Sequence, residues 1–309
     1  MLKFKKINSA IVGLGNIGLY YDINNNKILT HSKSIKTNNY LNLVAAFDLS
    51  KVNRELFEKQ YKIQAFTDFK YFENFKKVEL LVISSPTNTH LNIIKKIPKD
   101  NNLKYIILEK PGGKNLYEFK KILKFCKKRK ILLFVNYIRE YLEDFSNLKK
   151  IIKKIKNKKI ICWYSKGLVN NGSHIINFIL ATYGWPKKIT VFNKYKIFSN
   201  DLDCDFKLEY PKTSIYFFCT PVKNISNNEI YLISKNMNLF SRNDFNNVFK
   251  GKIGSKKIEF LAKTSNRLQS DVLNKMINNI KKKSKIEKFL KTNLMTHKLI
   301  QYVQSKKNY

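Results

Sequence analysis

Two short segments hold residue types whose spacing can do chemistry. The first is Gly13-Leu14-Gly15-Asn16-Ile17-Gly18, which follows the apolar run Ser9 to Val12 and opens a helical pattern. Gly13 permits a tight turn, Gly15 lets backbone approach a pyrophosphate, and Gly18 lets strand and helix pack closely. Backbone N–H groups around Asn16 and Ile17, at a helix N-terminus, then attract the phosphates. The bland alternative is a turn that is only structural. The second segment is Glu109-Lys110-Pro111, directly after the apolar run Tyr105 to Leu108. A strand ending there delivers Lys110 to the carboxyl edge of a sheet, where ligands of open α/β folds bind. Pro111 fixes the backbone. Beside a cationic nicotinamide the ammonium would release its proton more readily, which suits a proton relay and substrate anchor.

Three further positions fit the same picture. Asp48 ends the run Leu43 to Phe47. An acid there accepts from a ribose 2′-OH and favours NAD, or else caps the helix that follows. It lies further beyond Gly18 than the roughly 20 residues usual for this fold; the excess falls in Asp22 to Asn39, read as an extended loop. Ser50 and Lys51 are compatible with a 2′-phosphate, so NADP stays open. Ser84-Ser85-Pro86-Thr87-Asn88-Thr89-His90 follows another apolar run, and its small residues leave room beneath a dinucleotide. His90 sits near the ribose or pyrophosphate, or is a polar helix-start residue. Finally, Asn170-Asn171-Gly172-Ser173-His174-Ile175-Ile176-Asn177 opens a later helix with Ser173 as N-cap. Histidine titrates near neutrality, so His174 suits proton exchange with an alcohol, or it is a capping or core histidine.

These residues need elements to hold them. The first part of the chain alternates apolar runs with helical patterns: strands at Ser9 to Val12, Leu43 to Phe47, Ala65-Phe66, Leu80 to Ser84, Tyr105 to Leu108 and Ile131 to Val135; helices at Arg54 to Tyr61, Thr89 to Lys96 and Leu116 to Lys128. That is the mark of a parallel sheet with crossover helices. Beyond about Tyr137 come helices at Leu142 to Ile155 and Ser173 to Tyr183, and alternating runs at Lys159 to Tyr164, Ile189 to Ile197, Asp205 to Glu209, Ser214 to Cys219, Glu229 to Ser234, Met237 to Ser241 and Asn247 to Ile253. Ser270 to Gln304 reads as helix. The expected fold is α/β: a doubly wound Rossmann domain at 1–137 and an α+β domain at 138–309 with an open, mostly antiparallel sheet.

Composition bounds the rest. The chain has 309 residues, 43% of them apolar, with 22 Phe and 17 Tyr, which excludes wholesale disorder. No apolar run reaches the ~18–20 residues that span a bilayer. The N-terminal Lys3, Lys5 and Lys6 followed by an apolar stretch imitate a signal peptide, but the glycines and the missing cleavage pattern argue for a cytoplasmic protein. Cys126, Cys162, Cys204 and Cys219 form no CxxC pair and read as free thiols, with no metal site. The net charge of +38 would suit nucleic acid. Yet nearly all of it is lysine, while phosphate and base recognition favours arginine's planar fork. Abundant Asn and Ile alongside the lysine point to compositional drift, so no specific nucleic-acid or membrane partner is expected. Lys127-Lys128-Arg129-Lys130 and Lys281-Lys282-Lys283 are then solvated helix ends.

GLGNIG, SSPTNTH, EKP and NNGSHIIN in this order resemble the glucose–fructose oxidoreductase, inositol dehydrogenase and rhizopine catabolism (Gfo/Idh/MocA) family, over nearly the whole chain. The resemblance implies an NAD(P)-dependent oxidoreductase whose second-domain sheet forms a homodimer or homotetramer. It implies that Lys110 binds substrate and relays protons, and that His174 is the base. The family's Asp-x-x-x-His pair is broken here, because Asn170 replaces the aspartate; Asn177 also stands where an acid is frequent. Asparagine orients a hydroxyl but takes no proton. Tyr137, Arg139 and Tyr164, with Lys166 less so, are candidate substrate contacts. The NNGSH variant is similar to members making surface-polysaccharide sugars, which implies a sugar or nucleotide-sugar substrate. The alternative is a catalytically impaired dinucleotide- or sugar-binding protein on the same fold.

Overall fold

The computed structural model describes residues 5–198, 201–222, 227–235, 237–252, 257–280 and 283–306. The chain divides into two compact units, Met1–Ile138 with Ser265–Leu290, and Arg139–Thr264 with Lys291–Tyr309.

The first unit holds strands β1 (Ile7–Val12), β2 (Leu41–Phe47), β3 (Ala65–Phe66), β4 (Leu80–Ile83), β5 (Tyr105–Leu108) and β6 (Leu132–Val135). They form one parallel sheet in the order β3-β2-β1-β4-β5-β6. Every side chain of β4 is buried, as a strand covered on both faces requires. The covering helices include α1 (His31–Lys36), α2 (Lys51–Tyr61), α3 (His90–Lys96) and α4 (Leu116–Lys128). In α4, Asn115 caps the start by accepting from Glu118 N, and Phe119, Ile122 and Cys126 form the buried stripe.

Two readings of this unit change. The glycine turn leads into no α-helix. Leu19 N reaches Gly15 O at 2.8 Å and Tyr21 N reaches Asn16 O at 3.1 Å, and a 3-10 turn at Tyr20–Asp22 follows. The segment from Asp22 to Asn39 is not a bare loop either. Buried Asp22 accepts from Leu29 N (2.6 Å), Thr30 N (2.8 Å) and Thr30 Oγ1 (2.8 Å), and Thr30 caps α1 through Lys33 N. One carboxylate thus organises the excursion and launches a short helix from it.

Helix α8 (Leu268–Asn279) belongs to this unit as well. Its buried Leu273 and Met276 line a small cavity with Ile7, Leu41, Leu80, Tyr105, Ile107 and Phe134. Gln269 N donates to Ile28 O at 3.2 Å, and Asn38 Nδ2 donates to Asn274 Oδ1 at 2.8 Å.

The second unit begins in the one-turn helix α5 (Ile138–Tyr141) and contains α6 (Glu143–Lys154) and α7 (Ser173–Tyr183); α9 (Lys283–Ser305) ends in it. Its strands are β7 (Lys158–Tyr164), β8 (Lys188–Phe198), β9 (Asp201–Tyr210), β10 (Thr213–Cys219), β11 (Glu229–Ile233), β12 (Asn238–Arg242), β13 (Asn247–Gly251) and β14 (Ile258–Lys263). The sheet order is β14-β13-β12-β11-β7-β10-β9-β8, antiparallel except for the β7–β10 pair. The sequence pattern misses β14, and residue 253, expected at the end of β13, lies outside the described residues, as do Lys281 and Lys282.

One face of this sheet is core. Phe206 stacks on Phe217 at 4.5 Å between centroids, and α7 is apolar nearly all round because it is buried. The other face carries a cross-strand row in register: Phe260, Phe249, Phe240, Tyr231, Ile161 and Tyr216. Phe249 lies 5.5 Å from Phe240 and 5.0 Å from Phe260, which is 51% exposed. The four cysteines are free and buried.

Candidate functional site

The parallel register sets the first site. Phe47, Val12, Ile83, Leu108 and Val135 are partners on adjacent strands. The next residues therefore stand in a row along the carboxyl edge: Asp48, Gly13, Ser84, Glu109 and Asn136. Backbone bonds tie the row, with Gly13 N to Phe47 O, Ser84 N to Val12 O, Glu109 N to Ile83 O and Asn136 N to Leu108 O, each within 2.8–2.9 Å. At a spacing of about 4.8 Å per strand, Glu109 stands roughly 10 Å from Gly13. Strand order reverses between β1 and β4, which is where a dinucleotide crosses such a sheet.

The three glycines differ in what surrounds them. A Cβ on Gly13 (φ +93°) would come within 2.5 Å of Ser85 N, and one on Gly18 within 2.1 Å of Gly13 O. Both are needed for the chain to pass itself. A Cβ on Gly15 would meet nothing within 4 Å, so the backbone there faces open space that a phosphate group could enter. Asn16 and Ile17 continue this turn: Tyr21 N bonds to Asn16 O, and His31 N to Ile17 O at 3.0 Å. Ser84 Oγ donates to Gly13 O at 2.7 Å. Ser85 Oγ meets Thr89 Oγ1 at 2.7 Å beyond Pro86, within the Thr87–Thr89 turn. His90 is fully buried, and burial lowers its pKa; Nε2 lies 2.9 Å from Ser85 O and steadies this turn. Asp48 Oδ2 accepts from Leu14 N at 2.6 Å, while Oδ1 accepts from Ser50 N at 2.8 Å and Asn53 Nδ2 at 3.3 Å. One lone pair on Oδ2 is left for a ribose hydroxyl.

Glu109 is the best-held group of the row. His31 Nε2 lies 2.8 Å from its Oε1, and Asn136 Nδ2 donates to the same oxygen at 2.6 Å. Asn136 Nδ2 also reaches Gln269 Oε1 at 3.2 Å. Burial pushes the Glu109 carboxyl up, but the His31 and Asn136 bonds outweigh it, and its pKa lies below the usual value. Lys110 N donates to Glu109 Oε2 at 3.2 Å, so the lysine's backbone is set by this carboxylate. The sequence reading missed His31, Asn136 and Gln269 as members of this cluster.

The second unit carries the other candidates. Gly167 (φ +96°) leads into a π turn at Leu168–Gly172 that runs into α7, and places exposed Asn170 and half-buried His174 within one helical entry. Ser173 does not cap this helix; its Oγ donates to Asn170 O at 3.3 Å. Asn177 is buried and donates to Asn293 Oδ1 (2.9 Å) and Thr296 Oγ1 (3.3 Å). Tyr164 is buried, its hydroxyl donating to Cys204 O (2.8 Å) and accepting from Cys204 N (2.7 Å). Lys166 is exposed with φ +57°. Arg139 is buried. Its Nε donates to Phe245 O (3.0 Å) and its Nη2 to Asp244 O (2.7 Å), in a turn where Asn243, Asp244 and Phe245 all have positive φ. Burial lowers its pKa to about 10. Tyr137, in the first unit, is buried after β6.

Comparison with known proteins reads this edge. Residues 7–137 match the family model described as an oxidoreductase family with an NAD-binding Rossmann fold. The matched segment spans all six strands of the parallel sheet. An uncharacterised oxidoreductase of Schizosaccharomyces pombe is 26% identical over 135 residues, which are 37% of this chain and 36% of that protein. The match thus spans about a third of the length of this relative. Two solved structures share the fold over nearly the whole chain. A dehydrogenase of Clostridium difficile has a TM-score of 0.72 at 18% identity, covering 97% of this chain and 100% of that one. A 3-ketoreductase of Actinomadura kijaniata, in complex with NADP, has a TM-score of 0.76 at 10% identity, covering 97% of each. The cofactor class is a nicotinamide dinucleotide, and the open space at Gly15, the donors of the turn and Asp48 fit it. No helix among the described residues is long and apolar enough to cross a membrane.

Proposed function

We propose that this protein transfers hydride between a nicotinamide dinucleotide and a carbinol carbon of a sugar or nucleotide-sugar. The observation that carries the reading is the edge row, in which the open turn at Gly15 and the anchored Glu109-Lys110 corner stand two strands apart. The bound nicotinamide supplies the hydride acceptor or donor. The turn residues Gly13 to Gly18 seat the pyrophosphate, Asp48 takes a ribose hydroxyl, and Ser84 to Thr87 floor the crevice. Lys110 relays protons and anchors substrate. His174 exchanges the hydroxyl proton, and Asn170 orients that hydroxyl. A nucleotide-linked substrate is in keeping with the Actinomadura kijaniata 3-ketoreductase, which was also solved with TDP-benzene, and a role in surface-polysaccharide synthesis suits such a substrate. The aromatic row of the second sheet suits self-association into a homodimer or homotetramer.

The test is absorbance in the reduced-nicotinamide band while free and nucleotide-linked sugars are added to the purified protein with NAD or NADP. A change with one sugar supports the reading. No change with any sugar, alongside measurable sugar binding, supports a dinucleotide- or sugar-binding protein without turnover, the reading that Asn170 and the buried, hydrogen-bonded Asn177 favour.

A further inference from the structure

The entry to α7 has an anchor that its own sequence does not contain. Neither the π turn at Leu168–Gly172 nor α7 has a side-chain cap from its own N-cap residue, so the first N–H groups need an acceptor from elsewhere. Asp201, the first residue of β9, supplies it. Its Oδ2 accepts from Val169 N at 2.8 Å and from Asn170 N at 3.0 Å, while Oδ1 lies 3.1 Å from Val169 N. Gln304 Nε2, from α9, reaches Oδ1 at 3.4 Å and Leu202 O at 2.9 Å, which holds the strand end and the carboxylate together. Gly167 is shaped by the same contact, since a Cβ there would stand 2.1 Å from Asp201 Oδ2. A carboxylate from a distant strand therefore fixes the backbone of the residues that deliver Asn170 and His174.

We propose that Asp201 is a positioning residue for the reaction. It sets the orientation of Asn170 and His174 through the N–H groups of residues 169 and 170. This deepens the proposed function and rests on His174 exchanging the hydroxyl proton. A misplacement of about 1 Å at such a group costs on the order of 100-fold in rate, whereas a cap that is merely structural alters stability alone.

The experiment compares Asp201→Ala, Asp201→Asn and Gly167→Ala with the full-length wild type. Asparagine keeps an oxygen for both N–H groups. kcat and KM are measured separately, and the His174 ring resonances are followed by proton–carbon NMR with labelled histidine. Asp201→Ala is expected to lower kcat about 10- to 100-fold with coenzyme affinity within about threefold, and to shift the His174 resonances. Asp201→Asn is expected to restore most of both, and Gly167→Ala to reproduce the loss by crowding the carboxylate. Wild-type kcat and an unmoved His174 spectrum in Asp201→Ala, with only the melting temperature lowered, would overturn the proposal. If the wild type turns over no sugar, or His174→Ala keeps full kcat, the reaction reading fails instead, and the His174 spectrum of Asp201→Ala and its restoration by Asp201→Asn still decide the positioning.

Discussion

Replacing Gly15 with alanine separates a ligand seat from a structural turn. A Cβ at this position meets no protein atom within 4 Å, and the backbone is not in the left-handed region. The apo protein should therefore fold as well as wild type, or gain about 0.4–1 kcal/mol from the stiffer unfolded chain. The added methyl instead occupies the space through which phosphate oxygens approach the N–H groups of the turn. Loss of one charge-assisted bond, worth about 1.5–3 kcal/mol, predicts a dinucleotide Kd raised roughly 10- to 150-fold. Gly18→Ala is the control of opposite sign, because its Cβ would press on Gly13 O at 2.1 Å. It should destabilise the fold by about 3 kcal/mol or more with or without ligand. The assays are urea unfolding of the ligand-free proteins, and titration with the reduced dinucleotide followed by fluorescence transfer from the protein. Gly15→Ala binding as tightly as wild type would refute the placement of the pyrophosphate. Gly15→Ala unfolding as easily as Gly18→Ala would refute the open space.

Other outcomes follow from the same geometry. Lys110→Ala should abolish turnover while dinucleotide Kd stays within about threefold; unchanged turnover removes its role. A double-mutant cycle with His31→Ala and Glu109→Gln should give a coupling of about 1.5–3 kcal/mol in urea unfolding at pH 7. Because the folded Glu109 pKa is depressed below its ordinary 4.5, this stability is fully present above pH 4.5 and is lost as pH falls through the folded value. A gap between wild type and His31→Ala that widened on acidification below pH 4.5 would contradict that sign. The proposed self-association predicts that Phe260→Lys, on the exposed end of the aromatic row, lowers the sedimenting mass to that of a monomer; an unchanged mass would refute that use of the row.

The parallel sheet was legible because its strands are short apolar runs bounded by glycine, proline and acid, and the positions after β1, β4 and β5 carry the chemistry. α1 was not legible. Its six residues, His31 to Lys36, have no apolar stripe, and the helix exists because Asp22 and Thr30, which belong to none of the motifs, satisfy its entry. His31 therefore could not be placed against Glu109 from spacing alone. At the glycine turn the pattern promised a helix, but one distorted turn and a 3-10 turn take up the N–H groups of Leu19, Tyr20 and Tyr21 instead. The start of β9 was read four residues late, since Asp201 to Asp203 alternate acids with one leucine; there the side chains answer to the α7 entry, not to the sheet. β14 was missed because Ile258, Glu259 and Phe260 are all exposed, and an edge strand with an open face gives no clean alternation.

The position of α8 has a consequence for how the protein is made. The cavity that Leu273 and Met276 line beneath β1, β2, β4, β5 and β6, and the contact of Gln269 with Asn136, are completed by residues 265–290. On the ribosome, all six strands of the first sheet emerge before any strand of the second, but α8 emerges after all eight of those. The nascent first sheet must therefore wait for roughly the whole second sheet to be synthesised with Ile7, Leu41 and Leu80 uncovered. A fragment cut at Ile138 is expected to keep them so, and to be held by chaperones or to aggregate.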